Sequence, residues 1–392
     1  MIFALLALAL AGVLQSSPPP GERTPGAKEH ARLGLAVNLP DSSPPAVRQR
    51  ALEEVRRAGV SVFALEVSWP AAEPTPHRYD VASVTRAARL LRQSGAVLHL
   101  DLPLVNARGR VVPSRLASVA FDDPRLSLAL GRLFDALGPA LLDFSTLSLG
   151  NEADSYFADK PVELAAFRRL FAGAVEFLRH KAPRLSVGVA TASATDSRAP
   201  LVAAALQQRS PALFYVYAPF QRGTPFVHRP PETLERDWKA ILGAAGGRPV
   251  AFTEVSYSSA PENGSSPARQ ADFVKRMVRF LDGSDRSRLL FARYVPWRDP
   301  APATSLDRRG LPPLPLRGSA TGSRLATPTD SSGRDRRSPV PQSGRPEGAG
   351  GEGVPKATDL PRTAFFANRG LQKFDGTPKP AWREIERLFA RP

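Results

Sequence analysis

The sequence contains no cysteine, only two methionines and only five histidines among its 392 residues. Without cysteine the chain can form no disulfide, no cysteine-liganded zinc site and no thiol nucleophile. The histidines are scattered, with no His-x-x-x-His pair, and no Gly-x-Ser-x-Gly turn is present for serine hydrolysis. We therefore expect no metal and no cofactor, and a fold whose stability rests on its hydrophobic core.

Acidic residues are also few relative to basic ones. The 37 Asp and Glu residues stand against 53 Lys and Arg residues, which gives a formal net charge of +16. Such an excess favours acidic partners, polyanionic glycans or nucleic acid. The arginines are spread through amphipathic segments, however, and form no basic stripe interleaved with aromatic residues. We therefore expect a solvated basic exterior and no nucleic-acid partner, with a slight preference for anionic glycans.

Long hydrophobic runs are absent except at the N-terminus, where residues 2–14 are apolar. This run is long enough for the core of a signal peptide but shorter than the roughly 18 residues that a membrane span needs. We interpret 1–20 as a signal peptide or apolar N-terminal segment and 21–32 as a linker. A buried N-terminal helix is the alternative, but "SSPPPGERTPG" follows the run and would separate it from a core. The prediction is an exported protein without a stable membrane span.

From residue 33 onward, short apolar runs alternate with longer segments of helical period. Eight runs are predicted as strands: 33–39, 60–67, 96–102, 144–150, 185–191, 212–218, 249–255 and 289–295. Strand followed by helix, eight times, predicts a (β/α)₈ TIM barrel over 33–298. A doubly wound open sheet is the alternative, but no glycine-rich phosphate turn follows the first strand.

The eighth helix is missing from its expected place. Residues 299–361 are rich in Pro, Arg, Ser and Gly and are predicted to be a disordered insertion. A functional binding arm and a local reading-frame error are alternative explanations. The pattern of residues 362–392, with an amphipathic helix that begins at Pro380, predicts the segment that closes the barrel.

Two glutamates end predicted strands four and seven. Glu152 follows "LSLGN", and Glu254 lies in "FTEVSY", 102 residues later. In such barrels the active site lies at the carboxyl ends of the strands, so both side chains can face one cleft. Two carboxyl groups across a pocket are typical of glycoside hydrolysis, in which one protonates the leaving oxygen and the other attacks the sugar.

This arrangement resembles the clan of retaining glycoside hydrolases with (β/α)₈ barrels, in which an Asn-Glu pair ends strand four and a Glu ends strand seven. The segments "SWPAAEPTPHRYD" and "RGLQKFDGTPKPAW" are similar to conserved pieces of that clan. The resemblance implies that Glu152 is the general acid/base, that Glu254 is the nucleophile and that Asn151 binds the sugar 2-hydroxyl. It further implies a retaining mechanism on a β-linked glycoside or polysaccharide.

Aromatic residues near the strand ends complete the resemblance. It implies that Tyr217 donates a hydrogen bond to the nucleophile and that Trp297 forms an aromatic floor for the sugar, with Trp69 as a further substrate contact. Each of the three is equally consistent with core packing, and Tyr215 is expected to point the same way as Tyr217. Likewise, Glu152 could cap the segment that follows it, and Glu254 could pair with an arginine of the barrel.

Two positions depart from the clan pattern. The clan carries an arginine on strand two near the nucleophile, and Glu66 occupies that neighbourhood here. His99 is the candidate for the histidine that many members place on strand three, and Asp101 ends the same strand. The leading hypothesis is a monomeric glycosidase with a carbohydrate substrate. The alternatives are a non-catalytic carbohydrate-binding protein on the same barrel and an interaction protein whose cleft is incidental.

Overall fold

The computed structural model describes residues 32–39, 43–192, 197, 199–301 and 360–389. The predicted signal segment, nearly all of the linker and most of the insertion lie outside these residues, so the predictions made for them stay predictions. Within the described ranges, no helix has the length and apolar character that crossing a bilayer requires.

The strands of the described chain are, in order, β1 (Leu33–Leu35), β2 (Val62–Glu66), β3 (Val97–Asp101), β4 (Val105–Asn106), β5 (Gly109–Arg110), β6 (Thr146–Ser148), β7 (Ser186–Gly188), β8 (Ala190–Ala192), β9 (Leu213–Tyr217), β10 (Phe220–Gln221), β11 (Thr224–His228), β12 (Val250–Val255) and β13 (Leu289–Tyr294). Strands β4 and β5 form one small antiparallel hairpin, and β10 and β11 form another. Each hairpin follows the carboxyl end of a barrel strand, so both contribute to the rim.

The central sheet is parallel and has the strand order β7-β6-β3-β2-β1-β13-β12-β9-β8. Its two ends, β7 and β8, are halves of one segment that are separated only by Val189. Because the sheet begins and ends on this split fifth strand, it runs around a barrel. The predicted TIM barrel and all eight predicted strands are confirmed.

The helices are, in chain order, α1 (Pro45–Arg57), α2 (Trp69–Ala72), α3 (Ala82–Gln93), α4 (Pro124–Leu137), α5 (Ala153–Phe157), α6 (Pro161–Lys181), α7 (Pro200–Gln207), α8 (Thr233–Ala244), α9 (Pro267–Asp282), α10 (Leu360–Asn368) and α11 (Pro380–Phe389). Several begin at proline, whose missing N–H costs nothing in a first turn. At α9 the Ser266 side chain also accepts a hydrogen bond from the Arg269 N–H.

The core has two layers because successive side chains of a strand point to opposite faces. The inner layer fills the barrel and includes Phe214 and Phe291. Buried His99 lies against both rings, and its Nδ1 is 2.8 Å from the Thr146 hydroxyl. Burial lowers the pKa of His99 to about 3, so this histidine is a neutral packing residue inside the barrel. The outer layer lies between the strands and the helices.

The C-terminal segment contributes two helices that pack on the barrel. Helix α11 packs against α9, and α10 lies over β11 at the rim. Asp299, the first residue of the predicted insertion, is buried and forms a 2.6 Å ion pair with Lys379. Its Oδ1 also accepts a hydrogen bond from the Gly370 N–H at 2.7 Å. Asp299 therefore belongs to the packed barrel and not to the predicted insertion.

Candidate active site

The carboxyl ends of the barrel strands bring a group of charged side chains together. Glu66 ends β2, Asp101 ends β3, Glu152 follows β6 and Glu254 lies near the end of β12. The Asn151 amide nitrogen donates a 2.9 Å hydrogen bond to Glu254 Oε1, which directly links the ends of the fourth and seventh barrel strands. The two glutamates predicted from sequence thus face one cleft.

A β-bulge in β12 turns Glu254 toward this cleft. Phe252 pairs with Tyr215 of β9, but the next pair is Glu254 with Val216, so Thr253 is an extra residue. Phe252 stacks on Trp238 in the outer layer, with ring centroids 3.9 Å apart. If the same residues formed a regular strand with no bulge, strict alternation would place Glu254, two residues after Phe252, on that same outer face. The bulge therefore determines that the carboxylate enters the site.

Arg293 of the neighbouring strand β13 supports this bulge. Its Nε donates a 2.8 Å hydrogen bond to the Thr253 carbonyl oxygen, and one terminal nitrogen lies 4.0 Å from Glu254 Oε1. Gly34 pairs with Arg293 on the adjacent strand, and a Cβ at Gly34 would lie 3.0 Å from the Arg293 Cβ. A residue without a side chain is therefore favoured beside the arginine.

The sequence has no arginine on strand two, where Glu66 lies. The structure instead places Arg293, from strand eight, next to the candidate nucleophile. Sequence reasoning missed Arg293, although a charged residue inside the apolar run "LLFARYV" was a usable signal.

Glu152 has a left-handed backbone conformation, with φ of 48°. Such a conformation is uncommon outside glycine and is concentrated at functional sites. The residue precedes α5, but its side chain makes no capping hydrogen bond, which contradicts the structural alternative for it. Burial raises the pKa of Glu152 to about 7, and the charges of Glu254 and Asp154 act in the same direction. Glu152 can therefore hold a proton near neutral pH.

Glu66 and Asp101 form a second acidic pair at the ends of adjacent strands. Burial, followed by the charge of Glu66, raises the pKa of Asp101 to about 8, while Arg293 opposes the shift. Glu66 is exposed at the rim. Its pKa is nevertheless raised by desolvation, and the charge of Arg293 opposes this shift as well. Arg293 thus offsets charge on this pair as well as on Glu254.

Arg369 is the second basic residue that sequence reasoning missed. It follows α10, and its positive charge acts on both Glu152 and Glu254. Arg369 is the first residue of "RGLQKFDG", but only the fold brings this C-terminal segment over the cleft. The exposed Arg108, on the β4–β5 hairpin, also acts on Glu152.

The structure corrects the position of Tyr217. Its hydroxyl donates a 3.0 Å hydrogen bond to Asp237 Oδ2 in the outer layer, and its ring packs beside Trp238 and Phe252. The reason is strand alternation, because Tyr217 shares a face with Tyr215, as expected, whereas Val216 faces inward. The prediction of a contact with the nucleophile is wrong for Tyr217.

The two tryptophans predicted to contact sugar are fully buried. Trp297 packs against Trp382 of α11, with ring centroids 5.9 Å apart, so its ring is part of the core and offers no open floor. Trp69 donates its indole N–H to Glu73 Oε2 at 2.8 Å, and Glu73 also forms an ion pair with Arg115. Both side chains are structural in this molecule, which corrects the predicted platform.

The described residues contain no group of three histidine, aspartate or glutamate side chains that could hold a metal ion. The cleft itself brings several carboxyl groups together. Glu152, whose pKa is raised, faces Glu254, which accepts a hydrogen bond from Asn151 and lies near the Arg293 guanidinium.

Sequence comparison finds no matching family model and no matching curated protein. Structural comparison finds the glycoside hydrolase GH5_18 from Streptomyces cattleya, crystallised as a variant with Manβ1-4GlcNAc. It has 15% identity and a TM-score of 0.61, over 92% of this chain and 80% of that chain. The chain has the fold of glycoside hydrolase barrels.

Two further structures share this fold. Xylanase 10B from Thermotoga maritima has 12% identity and a TM-score of 0.54, over 100% of this chain and 98% of that one. A family 39 glycoside hydrolase from Bacteroides cellulosilyticus has 13% identity and a TM-score of 0.53, over 93% and 64% of the two chains. These likenesses confirm the fold of the clan that the sequence resembles.

Proposed function

We propose that the protein is a glycoside hydrolase that cleaves a β-linked glycoside by a retaining mechanism. The observation that carries the proposal is the pair of carboxyl groups at the ends of β6 and β12. Glu152 has a pKa raised to about 7, and Glu254 accepts a hydrogen bond from Asn151. One carboxyl can thus act as an acid while the other acts as a nucleophile.

In the first step, Glu254 attacks the anomeric carbon while the bond from that carbon to the leaving oxygen breaks. The proton of Glu152 passes to the leaving oxygen, and an ester joins the sugar to Glu254. In the second step, the Glu152 carboxylate takes a proton from water, the water oxygen bonds to the anomeric carbon, and the Glu254 carboxylate is released.

Asn151 has the geometry to bind the sugar while it holds the nucleophile. Its amide nitrogen already donates to Glu254, but its Oδ1 is buried and accepts no hydrogen bond from the described residues. A buried acceptor without a donor costs free energy. A hydroxyl of the bound sugar can supply the missing hydrogen bond, which supports the 2-hydroxyl role that the resemblance implies.

The proposal is tested with a panel of aryl β-glycosides and soluble polysaccharides, assayed with the parent, Glu254→Ala and Glu152→Ala. We expect the activity of the Glu254→Ala variant to fall by several orders of magnitude. Added azide should restore turnover, with a glycosyl azide as the product. Asp237→Asn is a matched control, since it also alters a buried carboxylate, but one that lies in the outer layer.

A different outcome supports the alternative. A parent that hydrolyses no member of the panel, but binds a glycan with an affinity that both variants retain, would be a carbohydrate-binding protein on a glycosidase barrel. Export and a monomeric state remain part of the proposal, to be checked by fractionation of producing cells and by light scattering.

A further inference from the structure

Arg369 is a partly buried guanidinium at the cleft without an ion-pair partner. No carboxylate of the described residues lies within 4.0 Å of it, although thirteen other described arginine or lysine residues are paired within that distance. Its Nε is buried and donates to no described group. Arg110, Arg288 and Arg362 also have a buried Nε of this kind, but Arg369 is the one whose charge acts on both candidate catalytic glutamates. An unpaired buried charge is costly, so an anion bound at Arg369 would stabilise it.

The side chain is nevertheless held in place. The guanidinium lies over the rings of Phe366, at 4.9 Å, and Phe365, at 5.5 Å. The backbone on either side is fixed too, because the Gly370 N–H bonds to Asp299 and the Gln270 amide lies 3.3 Å from the Arg369 carbonyl oxygen. A Cβ at Gly370 would lie 2.2 Å from the Asp299 nitrogen, so this close approach requires glycine. Arg369 is thus pre-positioned without being neutralised.

Its place relative to the two glutamates locates the missing anion. Arg369 lies close enough to Glu254 and Glu152 for its charge to act on both, so an anion bound to it would lie near the sugar ring that these residues would flank. Arg293 already offsets the negative charge of Glu254, and Glu152 is protonated when the first step begins. Neither glutamate can then be a dedicated counter-ion for Arg369 in the substrate complex.

We propose that Arg369 binds the carboxylate of a uronic acid, so that the substrate is an anionic β-glycoside whose charged sugar lies against Glu254. A carboxylate is the natural partner of a planar guanidinium with free N–H groups. The proposal rests on the proposed function, whose substrate class it specifies. It also agrees with the excess of positive charge in the chain.

The test compares two substrates that differ only at C6, 4-nitrophenyl β-D-glucuronide and 4-nitrophenyl β-D-glucoside, together with the corresponding galacturonide and galactoside. We expect the parent to prefer a uronide. Arg369→Gln should lower the preference for the uronide, the ratio of its kcat/KM to that of the matched neutral glycoside, by about 10- to 100-fold, as expected for loss of a charge-assisted hydrogen bond. Arg369→Lys should recover part of the preference.

Arg362→Gln is the matched control, because it removes the same charge from the same C-terminal segment, and its guanidinium lies over Phe226 instead. Thermal unfolding of all variants checks that the fold is kept. If the parent prefers the neutral glycosides, or if Arg369→Gln lowers both activities equally, the inference is overturned while the glycosidase proposal stands.

If the parent hydrolyses none of the four substrates, binding decides the inference independently of catalysis. Saturation-transfer NMR then compares methyl β-D-glucuronide with methyl β-D-glucoside, and likewise methyl β-D-galacturonide with methyl β-D-galactoside. Selective binding of a uronide that is lost in Arg369→Gln supports the anion site. Equal binding within each pair, or no binding, overturns it.

Discussion

The two arginines near the candidate nucleophile differ in how they are held. Arg293 belongs to a barrel strand, donates to the backbone of the neighbouring strand and lies 4.0 Å from Glu254. Arg369 belongs to the C-terminal segment, rests on two phenylalanine rings and pairs with no described carboxylate. The difference teaches that a positive charge used to build a site is bonded into the scaffold, whereas one that serves a ligand keeps its donors free.

The strongest test of this comparison is Arg293→Gln. We expect kcat on every substrate, neutral or anionic, to fall by about 10²- to 10³-fold, in the range known for the loss of one positioned donor in an active site. The cause is the lost support of the Thr253 carbonyl and of the Glu254 charge. Steady-state kinetics on the matched substrates measure the effect, and Arg293→Lys should restore part of it. A loss of activity on uronides alone would mean that Arg293 binds the sugar carboxylate instead of supporting Glu254.

Gly34→Ala tests the Arg293 side without removing any charge. The new Cβ would lie 3.0 Å from the Arg293 Cβ in a packed strand pair. Such overpacking destabilises a protein by about 1–3 kcal/mol. Denaturant unfolding measures this loss, and kcat should fall together with it. The control is Gly95→Ser, because nothing lies within 4 Å of a Cβ built at Gly95; its own cost comes only from its positive φ. A Gly34→Ala variant with full activity and stability would show that Arg293 has room to shift.

The smallest expected effect concerns pH. Glu152 must be protonated in the first step and has a pKa raised to about 7, so kcat/KM should fall as the pH rises through about 7. The charge of Arg369 lowers the pKa of Glu152, so Arg369→Gln should move this basic limb to higher pH. Arg293→Gln should move the limb less, since the charges that act on Glu152 are chiefly those of Glu254, Asp154, Arg369 and Arg108. Rates measured from pH 5 to 9 on a neutral glycoside give the limbs, and an equal shift in both variants would contradict the distinction.

Much of the fold and the outline of the site were predictable from the chain alone. The alternation of apolar runs with helical segments determined the eight strands, and the positions of Glu152 and Glu254 at the ends of two runs placed them at one edge of the barrel. These features are local or follow from chain order. A parallel barrel gathers the carboxyl ends of all its strands at one rim, whatever the details of packing.

Side-chain direction was not predictable in the same way. Tyr217 ends its strand as the resemblance requires, but alternation turns its hydroxyl toward Asp237. Trp297 follows its strand as expected, but α11 returns from far along the chain, and the Trp297 ring is buried against Trp382. In both cases contacts between residues distant in sequence decided what a residue near the cleft actually touches.

The sequence by itself determined the barrel, the order of the catalytic candidates and the absence of cysteine chemistry, because composition and periodicity act residue by residue. Only the tertiary structure decided which groups serve the site. The bulge at Thr253 turns Glu254 inward, Arg293 reaches it from strand eight in place of a strand-two arginine, and the returning C-terminal segment brings Arg369 to the cleft. All three features depend on strand register or on contacts between residues far apart in sequence. The spacing of residues along the chain reveals neither of these.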